Sequence, residues 1–359
     1  MFFNWFLQSF RILLLPFSWL YWLAISVRNF FYDKGIWKST SFGLPMICVG
    51  NISVGGTGKS PMVELLVRTL KPHFKVATLS RGYKRKTSGY ALADDHTTAL
   101  EIGDEPMQFH LKFPEIPVAV GEDRIEAVAQ LMQDRPDTQL IILDDAFQHR
   151  AIQAGLNIVL TEYNNLYTRD FYLPAGDLRD LKSSAKRAHW IVVTKCPPDL
   201  SEQERQRVRK ELKLLPEQEL FFASIQYDQP YHLLTGHIRP LDASDEVLLV
   251  TGIANPIPLK KRLEGYCNSY HLLAYSDHHI FTIDDLRDIH KKFDAIPGQQ
   301  KIMLTTEKDA VRLTKFRSEL QDRPFYVIPV RHQLLFDEEE KFTRLLIDFV
   351  RNYRVEPKK

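Results

Sequence analysis

The chain has 359 residues, 44% hydrophobic and 26% charged, a globular mixture long enough for two cores and unlike disordered or fibrous sequences. With 47 Lys and Arg against 45 Asp and Glu, the net charge of +2 offers no footprint for nucleic acid, and any basic surface must be local. Cys48, Cys196 and Cys267 lie far apart without metal-ligand spacing, which argues against a disulfide framework or a zinc site and fits a reducing cytosol.

The first segment, MFFNWFLQSFRILLLPFSWLYWLAISVRNFFYDKGIWK, is crowded with Phe, Trp, Leu and Tyr. Its uncharged run from Ile12 to Val27, between Arg11 and Arg28, contains Pro16, Ser18 and Ser26 and falls short of the ~20 residues of a spanning helix. No A-x-A cleavage site follows, so a removable signal peptide is not indicated. Aromatic rings and snorkelling arginines suit the headgroup boundary. Residues 1–35 therefore predict a membrane-associated interfacial helix, in preference to an apolar helix packed on the protein's own core. Lys34 and Lys38 then read as a cytoplasmic continuation.

From Leu44, apolar β-branched runs (LPMICVGNI, KVATLS, IPVAV, TQLIILDD, LNIVLT, WIVVTK) alternate with helical patterns such as EDRIEAVAQLMQ, predicting a parallel sheet between helices. After Pro230, Gly236 and Pro240 the alternation restarts. EVLLV, YHLLAY, KIMLTT and FYVIPV read as strands, with IPLKKRLEGY, TIDDLRDIHKKF, KDAVRLTKF and a closing DEEEKFTRLLIDFVRNYR as helices. Thr282 with Asp285 makes a capping-box-like start. The expected fold is α/β: a larger parallel-sheet sandwich over 36–228 and a smaller α/β domain over 229–359, with a ligand cleft between them.

Between the first strand and the next helix lies ISVGGTGKSP, residues 52–61. A phosphate-binding loop needs glycines that let backbone N–H groups converge on an anion, a lysine for the β and γ phosphates, a hydroxyl for Mg²⁺ and a helix N-terminus aimed at the phosphates. Gly55, Gly56, Thr57 and Gly58 supply the loop, Lys59 the cation, Ser60 the hydroxyl, and Pro61 falls where a missing N–H costs nothing. Ser53 stands where G-x-x-x-x-G-K-[ST] has its first Gly. LIILDD, ending in Asp144 and Asp145, has the form of a Walker B strand that holds Mg²⁺. In VVTKCPPD, Pro197 replaces the Asp that would grip guanine, so ATP is the expected nucleotide. The whole thus reads as a P-loop NTPase-like sandwich.

Acceptor chemistry must come from elsewhere. GDEP places Asp104 and Glu105 before a proline that can begin a helix, and YSDHH places Asp277, His278 and His279 after a second-domain strand. A carboxylate touching an imidazole can take a hydroxyl proton as it attacks the γ-phosphate. A helix N-cap and an exposed histidine pair are the plainer alternatives. SRGYKRK, residues 80–86, and LPAGDLRDLKSSAKR, residues 173–187, could meet phosphate or substrate, and DDAFQHR adds Gln148 and His149.

In this order, and behind an aromatic helix, GNISVGGTGKSP, SRGYKR, GDEP, DDAFQHR, LPAGDLRD, TGIANP, YSDHH and TTEKDAVR resemble the tetraacyldisaccharide 4'-kinase family, the lipid A 4'-kinases of Gram-negative bacteria. The likeness spans essentially the whole chain, and that family's loop also tends to lack the first Gly. The resemblance implies ATP- and Mg²⁺-dependent phosphorylation of the 4'-hydroxyl of an acylated glucosamine disaccharide 1-phosphate by a peripheral enzyme at the cytoplasmic face of the inner membrane. It implies an Asp–His dyad of Asp104 with His278 or His279, His278 being chosen. Glu105, Asp144 and Asp145 would serve Mg²⁺ with Ser60, while Tyr83, Arg179, Gln148 and His149 would lie near phosphate or substrate. A monomer that binds no nucleic acid is expected. The rival classes are a membrane-associated P-loop ATPase acting as a switch or partitioning protein, and a nucleotide-binding structural module.

Overall fold

The computed structural model describes residues 11–253, 255–267 and 269–354, so the first ten residues of the expected membrane helix lie outside it. The apolar runs form the expected strands: β1 (Met46–Asn51), β2 (Val76–Ser80), the short β3 (Ala91–Leu92), β4 (Val118–Val120), β5 (Leu140–Asp144), β6 (Leu156–Glu162), β7 (Trp190–Thr194) and β8 (Glu219–Tyr227). Every residue of β1, β2, β5 and β7 is buried, as strands covered on both faces require.

The smaller domain contributes β9 (Tyr231–His232), β10 (Glu246–Thr251), β11 (Ser269–Ala274), β12 (Lys301–Thr306) and β13 (Phe325–Ile328), in the order β11-β10-β12-β13-β9. After Pro329 the chain re-enters the larger sheet as β14 (Val330–Leu334), completing the order β14-β8-β7-β6-β1-β5-β2-β4-β3. Among the described residues of this larger sheet, only the edge strands β3 and β14 run antiparallel to their neighbours.

Helices α1 (Leu15–Asp33), α2 (Lys59–Leu70), α3 (Asp104–Lys112), α4 (Arg124–Asp134), α5 (Glu202–Leu212), α6 (Ile257–Glu264), α7 (Ile283–Ala295), α8 (Glu307–Leu313) and α9 (Glu339–Asn352) cover the sheets. One face of the large sheet meets α2 and α9, with Met62, Leu66 and Leu70 beside Phe342, Leu346 and Val350 on Ile47, Val49 and Ile158. Each such side chain gains roughly 1.5–3 kcal/mol by leaving water. Thr282 caps α7 with Asp285 in the expected reciprocal arrangement.

One difference from the sequence expectation matters. FYVIPV reads as one strand but is divided at Pro329, whose missing N–H ends the ladder and lets the chain change sheets. The segment 330–354, expected in the second domain, is therefore the edge strand and a covering helix of the first. Here β8 leads out of the large sheet as β14 returns, pairing antiparallel from Val330–Tyr227 to Leu334–Ala223, while β9 and β13 pair likewise beyond them. The two domains are thus joined by a two-stranded ribbon, tied at its crossing by the Asp228 N–H donating to the Pro329 carbonyl at 3.1 Å.

The side of α1 that faces inward is largely polar. Its buried residues are Ser18, Ile25 and Asn29, whereas Phe17, Trp19, Leu20, Leu23 and Phe30 are exposed. Polar groups do the docking: Ser18 donates to the Tyr172 carbonyl at 2.9 Å, and Asn29 to Asp180 at 2.9 Å. Among the described residues no helix is long and apolar enough to cross a membrane.

Candidate functional site

The loop from Ile52 to Gly58 leaves the carboxyl end of β1, between β5 and β6, the crevice where parallel sheets bind ligands. Gly58 is the N-cap of α2 with φ +86°, a left-handed value that side chains resist, and it delivers Lys59 into the first helical turn. Lys59 Nζ lies 3.3 Å from Asn51 Oδ1 and 3.7 Å from Asp145 Oδ2. The LPAGDLRD segment lies along this loop: Val54 N–H donates to the Asp177 carbonyl at 2.7 Å and Arg179 N–H to the Ile52 carbonyl at 2.9 Å. Arg179 then grips the Asp145 carboxylate through both Nη atoms and reaches Asn51 as well.

Asp144 and Asp145, adjacent in sequence, differ in surroundings. Asp145, a non-glycine residue at φ +49°, faces Lys59 and Arg179. Burial pushes its carboxyl up, but those two cations hold it below the usual carboxylate range. Asp144 is fully enclosed, its Oδ1 has no hydrogen-bond partner, and burial with the charges of Glu105 and Asp145 pushes it up to about 8. An orphaned carboxylate beside two more carboxylates fits a divalent cation. The expected set of Ser60, Glu105, Asp144 and Asp145 is nevertheless not assembled into a cage: among the described residues no three carboxylate, imidazole or thiol groups stand as a metal site. Asp145 is turned to its cations, and Mg²⁺ in any case takes only one or two carboxylates, completing its shell with water and phosphate oxygens.

A second cluster is built across the domains. Gly103, at φ +94°, turns the chain so that Asp104 opens α3; a Cβ there would meet the Tyr83 carbonyl at 3.0 Å. His278, itself at φ +63°, places Nδ1 3.0 Å from Asp104 Oδ2. The non-glycine residues held at positive φ include both Asp145 and His278, strain of ~1–3 kcal/mol each that surrounding contacts must sustain. Arg312 Nη2 donates to the same Asp104 oxygen at 2.6 Å, and Lys308 Nζ lies 3.1 Å from His278 Nε2. Burial raises the Asp104 carboxyl, but hydrogen bonds and charge from Arg312, and then His278, hold it below the usual range. Arg312 Nη2 also lies 3.1 Å from His278 Nδ1, so Asp104, Arg312 and Lys308 together fix the ring in place. His279 points the other way: it bonds Asp285 at 3.0 Å and stacks on Tyr275 with centroids 4.6 Å apart.

Of the remaining expected residues, Tyr83 is exposed and lies T-shaped to the His278 ring with centroids 5.9 Å apart. Gln148 is committed to structure, donating from Nε2 to the Asn51 carbonyl at 2.7 Å while its own carbonyl accepts from Arg28. His149 has a buried Nε2 without a partner and is held neutral by burial and by the charge of Arg124. Arg124 is buried; Nη1 meets only the Gly121 and Glu122 carbonyls, and Nε meets nothing. Burial opposes its charge, the carboxylates of Asp144 and Asp145 favour it, and Arg81 opposes it. Sequence reasoning passed over Asn51, Arg124, Lys308, Arg312 and His332. Lys308 and Arg312 lie within the quoted TTEKDAVR, but nothing in its spacing points to a carboxylate in the other domain.

Loop, strand-end acids and parallel sheet place the molecule among the P-loop nucleotide-binding proteins. The LpxK family model, described as tetraacyldisaccharide-1-P 4'-kinase, matches residues 10–351. The chain is 46% identical over 330 residues to the tetraacyldisaccharide 4'-kinase of Flavobacterium johnsoniae, covering 91% of this chain and 95% of that one. It is 41% identical over 352 residues to that of Bacteroides thetaiotaomicron, covering 94% and 93%. The crystal structure of LpxK from Aquifex aeolicus in complex with ATP aligns with TM-score 0.75 at 29% identity, over 95% of this chain and 99% of that one. The chain belongs to the tetraacyldisaccharide-1-P 4'-kinase family.

Proposed function

We propose that the protein transfers the γ-phosphoryl group of ATP to the 4'-hydroxyl of a tetraacylated glucosamine disaccharide 1-phosphate. The observation that carries this reading is the Asp104–His278 contact of 3.0 Å, made between residues 174 apart on opposite domains. A switch ATPase has no use for a base poised for a second substrate.

In this reading the loop N–H groups and Lys59 hold the phosphates, while Ser60 and Asp144, with Glu105 or Asp145, would hold Mg²⁺. A bound Mg²⁺ would neutralise charge on the phosphates. The 4'-oxygen bonds to the γ-phosphorus as the bridge to the β-phosphate breaks and ADP departs. The hydroxyl proton passes to Asp104, whose partner His278 keeps the carboxylate oriented and Arg312 keeps it ionised. Arg124, whose charge reaches His149 together with that of Arg81, offers a seat for the acceptor's own phosphate.

The outward apolar face of α1 supports peripheral attachment to the inner-membrane surface from the cytoplasmic side, where an acylated substrate resides. One chain carries every group named, so a monomer suffices. ADP formation with and without acylated disaccharide 1-phosphate tests the reading. Turnover should depend on the acceptor and vanish in Lys59→Ala; equal turnover without acceptor would make the protein an ATPase.

A further inference from the structure

A phosphate loop works only if its carbonyl oxygens turn away from the anion while its N–H groups face it. Two carbonyls immediately precede the cation here, those of Thr57 and Gly58, and each is held by a side chain from a strand of the same sheet. Thr194, on β7, donates from Oγ1 to the Thr57 carbonyl at 2.8 Å. His332, on β14, places Nε2 2.9 Å from the Gly58 carbonyl, which also accepts the first helical bond from Met62 N–H at 3.2 Å.

The fit around His332 is close. The ring is 3% exposed, and a Cβ on Gly58 would lie 2.8 Å from Nε2. The glycine is thus required both by its left-handed φ and by the imidazole packed against it. A carbonyl can only accept, so Nε2 must carry the hydrogen. Burial keeps the ring neutral, pushing it down to about 4, so that a neutral donor stands behind the loop without adding charge.

We infer that His332 is a positioning residue of the phosphate loop: with Thr194 it pins the two carbonyls just before Lys59 so that the loop presents its N–H groups to the nucleotide. This rests on ATP being the phosphoryl donor. It also explains why an edge strand supplied from the far end of the chain belongs to the nucleotide-binding half.

The test uses the full-length protein and the variants His332→Leu, His332→Gln and His332→Asn. KM for ATP, KM for the acylated disaccharide 1-phosphate, kcat, ATP affinity by calorimetry and the melting temperature are measured together. Leu removes the donor at similar volume and should raise KM and Kd for ATP about five- to tenfold, the effect of losing one hydrogen bond to a buried carbonyl. KM for the acceptor should stay within about twofold on the same reasoning, because the acceptor side is untouched. Gln, which can reach Gly58 with an N–H, should restore most of the ATP affinity.

A folded Leu variant with wild-type ATP affinity overturns the inference, as does loss on both substrates that Gln does not repair. Should Leu fail to fold, Asn decides, being too short to reach: unchanged KM for ATP in that variant also overturns it. Wild-type protein that binds no ATP would instead refute the underlying reading, so the two failures are distinguishable.

Discussion

His278 and His279 are neighbours in sequence that end in different environments. The left-handed backbone at His278 swings its ring toward Asp104, whereas the next ring is sandwiched with Tyr275 and tied to the cap of α7 through Asp285. His278→Gln should therefore lower kcat by ~10²–10⁴, the range for disabling a positioned base. His279→Gln should leave kcat within about threefold and lower only the melting temperature, since its partners are structural. Steady-state rates on both variants decide it, and a larger loss in His279→Gln than in His278→Gln would mean the dyad has been assigned to the wrong ring. The acidic member, Asp104, and the DHH pair were legible as motifs because acid–base chemistry demands those residue types. Their meeting was expected from the family resemblance alone, and the Arg312 contact 208 residues from Asp104 not at all, because spacing in one chain does not encode proximity across a cleft.

At the scale of elements, α3 and α8 lie together and are pinned at both ends. Asp104 meets Arg312 at one end, and at the other Lys112 bridges Glu64 of α2 and Glu307 of α8. Glu64 and Glu307 are both buried, and Glu307 also accepts the Val330 N–H where the ribbon enters the large sheet. Burial and then the charge of Glu64 push Glu307 up to about 7. A carboxyl raised on folding binds its proton more tightly in the native state. Its stabilising contribution is complete below the ordinary carboxylate pKa and is lost as pH rises through about 7.

Melting temperature should therefore fall more steeply from about pH 5 to about pH 8 in the wild type than in Glu307→Gln. Parallel curves would show that this carboxyl does not govern the junction. Strands and most helices were legible from apolar runs, since a parallel sheet buries both faces. The division of FYVIPV was not: the proline marked a break, but a break alone does not say that the two halves join different sheets.

On the scale of the whole molecule, α1 is inside out. Its hydroxyl and amide groups bond the 172–184 segment that backs the phosphate loop, while Trp19, Leu20 and Leu23 face outward. An exposed apolar stripe flanked by Arg11 and Arg28 is suited to a lipid surface. Replacing Trp19, Leu20 and Leu23 together by Glu should abolish co-sedimentation with anionic phospholipid vesicles. The melting temperature should move little, as surface changes cost about ±0.5 kcal/mol. Retained sedimentation would show that this face is not the contact. The aromatic composition announced the helix; which face the protein would keep for itself depended on partners more than 100 residues away.

The two-stranded ribbon means that the apparent border near residue 228 is not a place to cut. A gene trimmed there would leave β8 as a bare sheet edge, open to pairing with other molecules. It would also remove the helix that covers Met62 and Leu66 and the imidazole that backs Gly58. The smallest piece able to handle a nucleotide is thus discontinuous in sequence, assembled from both halves of the gene with the smaller domain inserted between them.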